Sequence, residues 1–185
     1  MNDKTFTEYI TRIDSSLKLV NIAELNYAKQ IILDTAKQNG KIWLIGNGGS
    51  AATSSHFATD LSRCTSENGE PIRAISLCDN TALITAIGND FTFEEIFKKQ
   101  LEILGTKGDL LISISASGNS SNLLQAIKYA KSQSIKTLSL VGFDGGLIHE
   151  LSDNSILAQT DVGDYGVAED CHSMICHFLS SALRK

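Results

Sequence analysis

Residues 45–60 read IGNGGSAATSSHFATD, so three glycines and a run of hydroxyls lead within one or two helical turns to a histidine and an aspartate. His56 and Asp60 are four apart, and on a helix both project from one face and can converge on one proton or one metal ion. The glycine and hydroxyl pattern occurs twice, as GNGGSA at 46–51 and SASGNSSN at 115–122. Each stretch offers small residues that let backbone approach a ligand, hydroxyls that donate hydrogen bonds, and a helix directly afterwards. A helix start presents unpaired N–H groups and the positive end of the dipole, which favours an anion, phosphate above all. Neither stretch fits GxxxxGK[ST], and GxGxxG is absent, so a monophosphate suits them better than a nucleotide. Taken singly, Ser50, Ser115, Ser117 and Ser120 read equally well as helix caps and turn formers. Two such loops at neighbouring strand ends point to anion binding.

The elements that must carry these loops follow from hydrophobic periodicity. Short apolar runs at Ile42–Ile45, Ile72–Leu77, Leu110–Ile114 and Thr137–Val141 read as buried strands, with a weaker one near Ile156. Helical patterns at about 51–62, 80–86, 92–104, 121–133 and 167–183 alternate with them. That alternation predicts an α/β fold, a three-layer doubly wound parallel sheet, in which ligands sit beyond the carboxyl ends of the strands. Both glycine and hydroxyl stretches fall at such ends. Ahead of the core, apolar residues from Thr5 to Gln38 keep helical spacing and stop at Asn39 and Gly40. We read residues 1–40 as a helical arm, one helix or two, whose apolar stripe is buried either on its own domain or, as we favour, by self-association, and 41–185 as the core of a single domain.

The whole chain bounds the function. At 185 residues it is long enough for one sizeable core. Its net charge of −5 and pI near 5.3, with no block of basic residues, leave no footprint for nucleic acid or an anionic membrane. No apolar stretch is long enough to span a bilayer. Cys64, Cys78, Cys171 and Cys176 lack CxxC spacing and no secretory signal precedes them, so a cytoplasmic location with reduced thiols is expected. Cys171 and Cys176 are five apart on a helix, which points their sulfurs away from each other into separate core positions. His172 sits on a different face from His177 and reads as supporting or structural.

Five stretches, GNGGSAATSSHFATDL, TAIGNDF, GDLLISISASGNSSNLLQAIKYAK, LVGFDGG and EDCHSMICH, occur in order over nearly the whole chain. Together they resemble the SIS (sugar isomerase) family, and within it the phosphoheptose isomerase branch, which converts sedoheptulose 7-phosphate to a heptose 7-phosphate. The resemblance implies a flavodoxin-like SIS fold and a homotetramer with sites between subunits. It implies that Asn47, Ser50, Ser115, Ser117 and Ser120, with Gly48, Gly49, Ala116 and Asn119 of the same loops, bind the sugar phosphate. Asp90 of GND would hold sugar hydroxyls. In this branch the first core helix carries HxxxE, and the last carries a glutamine with a histidine eight positions later. These groups bind zinc and move protons. The corresponding residues here are His56, Asp60, Glu169 and His177, with Glu169 counted toward substrate as well as metal, Asp60 as base and His177 as general acid.

Three departures accompany the resemblance. Asp60 replaces a glutamate, which withdraws the carboxylate by one methylene, and Glu169 replaces the glutamine. Where the branch reads Asp-Arg-Ile-Gln-Glu, this chain reads Gly166-Val167-Ala168-Glu169-Asp170, leaving Asp170 and Arg63 as the nearby charges able to compensate. Eight residues of straight helix separate Glu169 and His177 by about 12 Å, so they meet at one zinc only by leaning together or across subunits. The expected activity is an aldose–ketose isomerisation of a phosphorylated sugar. Its rivals are the same chemistry on a different sugar phosphate, and a non-catalytic SIS protein, either one that only binds sugar phosphates or a scaffold such as the replication-initiation factor that binds the bacterial initiator protein.

Overall fold

The computed structural model describes residues 3–65 and 69–184; of the bounds given above, residues 1, 2 and 185 lie outside the described residues. Two consecutive helices open the chain, α1 (Asp3–Leu19) and α2 (Ile22–Lys37). Asn21 separates them, because its side chain accepts from the Ala23 N–H and starts α2 afresh. Asn39, at φ 61°, ends the pair in the left-handed conformation that asparagine tolerates. Then follow β1 (Lys41–Gly46), α3 (Gly48–Ser62), β2 (Arg73–Ser76), α4 (Thr81–Asp90), α5 (Ile96–Leu104), β3 (Leu110–Ser115), α6 (Ser121–Ser132), β4 (Lys136–Val141), α7 (Gly146–Leu151), β5 (Asn154–Leu157) and α8 (Tyr165–Leu183).

The five strands are parallel in the order β2-β1-β3-β4-β5, a doubly wound sheet. Side chains alternate across the sheet, so Ile42 and Leu44 enter one core while Trp43 and Ile45 enter the other. The first core lies under α2, α3 and α8, and the second under α5, α6 and α7. Both faces of β1 and β3 are closed, which is why those strands read as unbroken apolar runs. Each fully buried leucine or isoleucine there stabilises the fold by about 1.5–3 kcal/mol relative to exposure.

The first forty residues divide between two tasks. Helix α2 belongs to the core layer, with Leu25, Ala28, Ile31, Ile32 and Ala36 buried against the sheet and α8. Helix α1 lies outside it on α8, burying Ile13, with Val20 buried just after its end, while leaving Phe6, Ile10 and Leu19 exposed. Three elements differ from the sequence expectation. The six-residue α7 begins at Gly145 and Gly146, both at positive φ, in a stretch that reads as loop. The start of the expected 92–104 helix is a 3-10 turn at Phe93–Glu95, and α4 runs on through Gly88 to Asp90. Among the described residues no helix is long and apolar enough to cross a membrane.

Candidate active site

In the order 2-1-3-4-5 the chain leaves β1 and β3 toward opposite layers, so a crevice opens beyond their carboxyl ends. The loops that fill it are residues 47–50 and 116–120. Their facing side chains are joined by a reciprocal amide pair: Asn47 donates to Asn122 Oδ1 at 2.9 Å, and Asn122 donates to Asn47 Oδ1 at 2.8 Å. The pair locks the starts of α3 and α6 together. Within the second loop Ser115 Oγ accepts from Gly118 N–H and Ser117 Oγ from Asn119 N–H. Gly118, at φ 63°, cannot be replaced without collision, because a Cβ there would strike the Gly145 carbonyl oxygen.

The helix starts in this protein fall into two kinds. Asn21 and Asn80 cap α2 and α4 with their side chains. Asn47 and Ser120, at the same position of α3 and α6, make no such bond. Both residues line a pocket of about 90 Å³ together with Ser50, Ile114, Ser115, Ala116, Ser117, Tyr165 and Glu169, which sets it beside helix starts that their N-cap side chains leave uncapped, Asn122 Oδ1 accepting from Leu123 N–H in the first turn of α6. Water takes about 30 Å³ in the liquid, so this volume suits a phosphate group rather than a whole sugar. A larger cavity of about 320 Å³ lies under α1, but Asp161 and Asp164 line it together with Arg12, which makes it a poor anion site.

Glu169 supplies an anion of its own to the pocket. Its carboxylate lies against Gly49 in the first turn of α3, where a Cβ would collide with it. A negative group is favoured at a helix start, and this one occupies the side of the pocket where a bound phosphate would meet α3. Gly48, at φ 52°, and Asn119 stand outside the lining, Asn119 instead joining the Ser117 carbonyl to the start of α7. Asp90 ends α4 on the surface and does not reach this pocket within the protomer.

Helices α3 and α8 run side by side in the same direction: Gly49 meets Glu169, His56 meets His177, and Asp60 meets Ser180 and Arg184. His56 therefore lies seven residues, about 10 Å, down α3 from the pocket. There the rings of His56 and His177 stand edge to face with centroids 5.0 Å apart, and His56 Nε2 is 3.8 Å from Asp60 Oδ2. A ligand atom from each of His56, Asp60 and His177 falls within 4.8 Å of the others, and Glu169 is not among them. The eight-residue spacing on a straight helix is the reason: Glu169 and His177 serve opposite ends of one groove. Asp60 is buried while both histidines are exposed.

Several partners of the site had no place in the sequence reading. Arg184 Nη2 lies 3.2 Å from Asp60 Oδ1, so the guanidinium at the acid/base end is Arg184 rather than Arg63. Its spacing from His177, seven residues on one helix face, was the available signal. Asn122 and Tyr165, the latter edge to face with Phe143, gave none. Asp170 accepts a 2.6 Å bond from Tyr9 of α1, which pushes the Tyr9 phenol up to about 12. Gly166 leaves room for that phenol, since a Cβ would come 3.2 Å from the Tyr9 oxygen. His172 is fully buried, and burial pushes its imidazole down to about 4, so it is neutral at pH 7. Cys171 and Cys176 are core residues whose thiols burial holds protonated.

Known proteins share this architecture. The SIS domain family matches residues 5–142. A phosphoheptose isomerase of Helicobacter pylori is 37% identical over 182 residues, covering 98% of this chain and 93% of its own. The structure of phosphoheptose isomerase from Neisseria gonorrhoeae superposes with a TM-score of 0.86 at 32% identity, covering 97% of this chain and 95% of the other. That from Francisella tularensis gives the same TM-score at 27% identity, with 98% and 95% covered. The strand order, the two open helix starts and relatives matched over nearly their full length agree: this chain belongs to the SIS domain family, in its phosphoheptose isomerase branch.

Proposed function

We propose that this protein is an aldose–ketose isomerase that interconverts sedoheptulose 7-phosphate and a heptose 7-phosphate. The observation that carries this reading is the two-ended groove: open starts of α3 and α6 that suit a phosphate, and a histidine–aspartate–histidine group about 10 Å along α3, a spacing comparable with an extended sugar chain. The family and its phosphoheptose isomerase members support the same substrate.

Ser50, Ser115, Ser117 and Ser120, with the amides of the two helix starts, hold the phosphate. The open chain then runs along the groove between α3 and α8, bringing its carbonyl to the lower end. Asp60 removes the proton from the carbon beside the carbonyl, and His177 donates one to the carbonyl oxygen. The resulting enediol is reprotonated at the neighbouring carbon and deprotonated at its oxygen by the same two groups, which returns both to their starting state. His56, Asp60 and His177 are the residues that would hold a zinc ion, which would supply positive charge for the oxygen on which negative charge develops, the base and acid roles of Asp60 and His177 falling to whichever of their atoms the metal leaves free. Glu169 belongs to the phosphate end in each protomer.

The active unit in this reading is a homotetramer with sites between subunits, supported by the apolar Phe6, Ile10, Met174 and Phe178 left exposed on α1 and α8. The four free cysteines and the absence of a basic surface block suit a cytoplasmic enzyme with no nucleic-acid or membrane partner. A second sugar phosphate is favoured by one observation: at Gly166, where the branch carries aspartate, Tyr9 comes close and Tyr165 lines the phosphate pocket. The test is conversion of sedoheptulose 7-phosphate followed by NMR, with metal-free and zinc-loaded protein, beside a panel of five- and six-carbon sugar phosphates. Conversion of the seven-carbon sugar alone supports the assignment. Binding of the sugar phosphates without turnover of any overturns it in favour of a binding protein.

A further inference from the structure

The end of the chain returns to the acid/base group. Arg184 terminates α8: its N–H bonds the carbonyls of Ser180 and Ser181, and its backbone turns to extended geometry at φ −75° and ψ 131°. From there the side chain folds back across the groove to Asp60 Oδ1 at 3.2 Å. Asp60 Oδ2 is left facing His56 Nε2 at 3.8 Å, with Ser180 Oγ at 3.5 Å. Ser180 is itself fixed by donating to the His177 carbonyl at 3.1 Å. Three residues on one stripe of α8, His177, Ser180 and Arg184, thus surround a single carboxylate on α3.

We propose that Arg184 is the positioning residue for Asp60, holding one carboxylate oxygen so that the other stays aimed at the His56–His177 pair. The inference rests on the reading of Asp60 as the proton acceptor. Aspartate is shorter than the glutamate usual in this branch, and catalysis is sensitive to displacements of about 1 Å. A planar guanidinium directs one carboxylate oxygen in a way that a freely rotating ammonium does not. The placement of charge is asymmetric: the Asp60 side chain is 11% exposed and that of Arg184 is 47% exposed. The arginine can therefore hold a buried anion from the rim of the groove.

The experiment compares the full-length protein with Arg184→Gln and Arg184→Lys by steady-state kinetics on sedoheptulose 7-phosphate and by NMR of the histidine rings. The chain has four histidines, and His149 on α7, across the sheet, serves as internal control. Arg184→Gln is expected to lower kcat about ten- to a hundredfold with KM within twofold, because the phosphate end is untouched. Arg184→Lys recovers part of that loss. The His56 ring resonances move in Arg184→Gln while those of His149 do not. A mere tether between the chain end and α3 would lower the melting temperature and leave kcat and the His56 ring alone. An unmoved His56 ring, or an Arg184→Gln enzyme with wild-type kcat, overturns the proposal. If wild-type protein does not turn over the sugar but the His56 ring moves, the positioning stands and the isomerase assignment falls.

Discussion

The two ends of the groove between α3 and α8 are made from different materials. At the upper end, backbone N–H groups and hydroxyls converge on a pocket that a turn conformation creates, and the one charged side chain, Glu169, is an anion. At the lower end, His56, Asp60, His177 and Arg184 meet as side chains on helix faces, brought together by the register of two helices. On the proposed function, the difference separates binding from proton transfer. Neutral donors hold an anion without moving protons; titratable groups move protons only if two helices keep their alignment to within a fraction of a turn.

This division predicts where each substitution acts. If Asp60 is the proton acceptor of the proposed mechanism, Asp60→Asn is expected to lower kcat by about 10²–10⁴-fold with little change in KM, as steady-state kinetics would read. The next effect concerns the packing that keeps the ends in register. His172 is a buried residue of α8 between Glu169 and His177, with a pKa of about 4 folded against 6.5 unfolded. Between those values the unfolded chain binds a proton that the folded chain refuses, so stability is fully present above about pH 6.5 and falls as pH drops toward 4. At 1.36 kcal/mol per unit, the loss is on the order of 3 kcal/mol. Urea unfolding from pH 7 to 4 measures it, and a His172→Gln variant loses that part of the slope.

At the upper end, Ser117→Ala removes a donor to a charged group, a change of about 1.5–3 kcal/mol, and is expected to raise KM roughly ten- to a hundredfold with kcat preserved. The smallest effect sharpens the comparison most. Glu169→Gln removes a negative charge from the phosphate pocket, and one unit repulsion in a watery environment is about 1 kcal/mol, so KM falls about fivefold. A fall in kcat instead of KM would move Glu169 to the lower end of the groove.

Much of this was legible in the sequence, for physical reasons that differ by element. Strands buried on both faces, such as Leu110–Ser115, are apolar throughout and mark themselves. The open helix starts at Asn47 and Ser120 follow glycine- and serine-rich stretches directly after such strands. Helix α7 did not show, because six residues starting on two glycines carry too little periodicity to stand out from a loop. The spacing of His56 and Asp60 on one helix face is a local property and reads directly. The meeting of His56 with His177, and the separation of Glu169 from both, depend on how α3 lies against α8. Arg184 sits two turns beyond His177 on the same stripe, yet only the packed helices show that the stripe faces Asp60. Asp90 was expected near the sugar, and within the protomer it stays on the surface at the end of α4.

The central claim is that protons move at the lower end while the phosphate is held at the upper one. Its most direct test is solvent deuterium incorporation into sedoheptulose 7-phosphate at the carbon beside the carbonyl, in wild type, His177→Ala and Ser117→Ala. The account predicts exchange in wild type, none in His177→Ala at any substrate concentration, and full exchange in Ser117→Ala once substrate is raised. Exchange that survives in His177→Ala, or that saturating substrate fails to restore in Ser117→Ala, would contradict it.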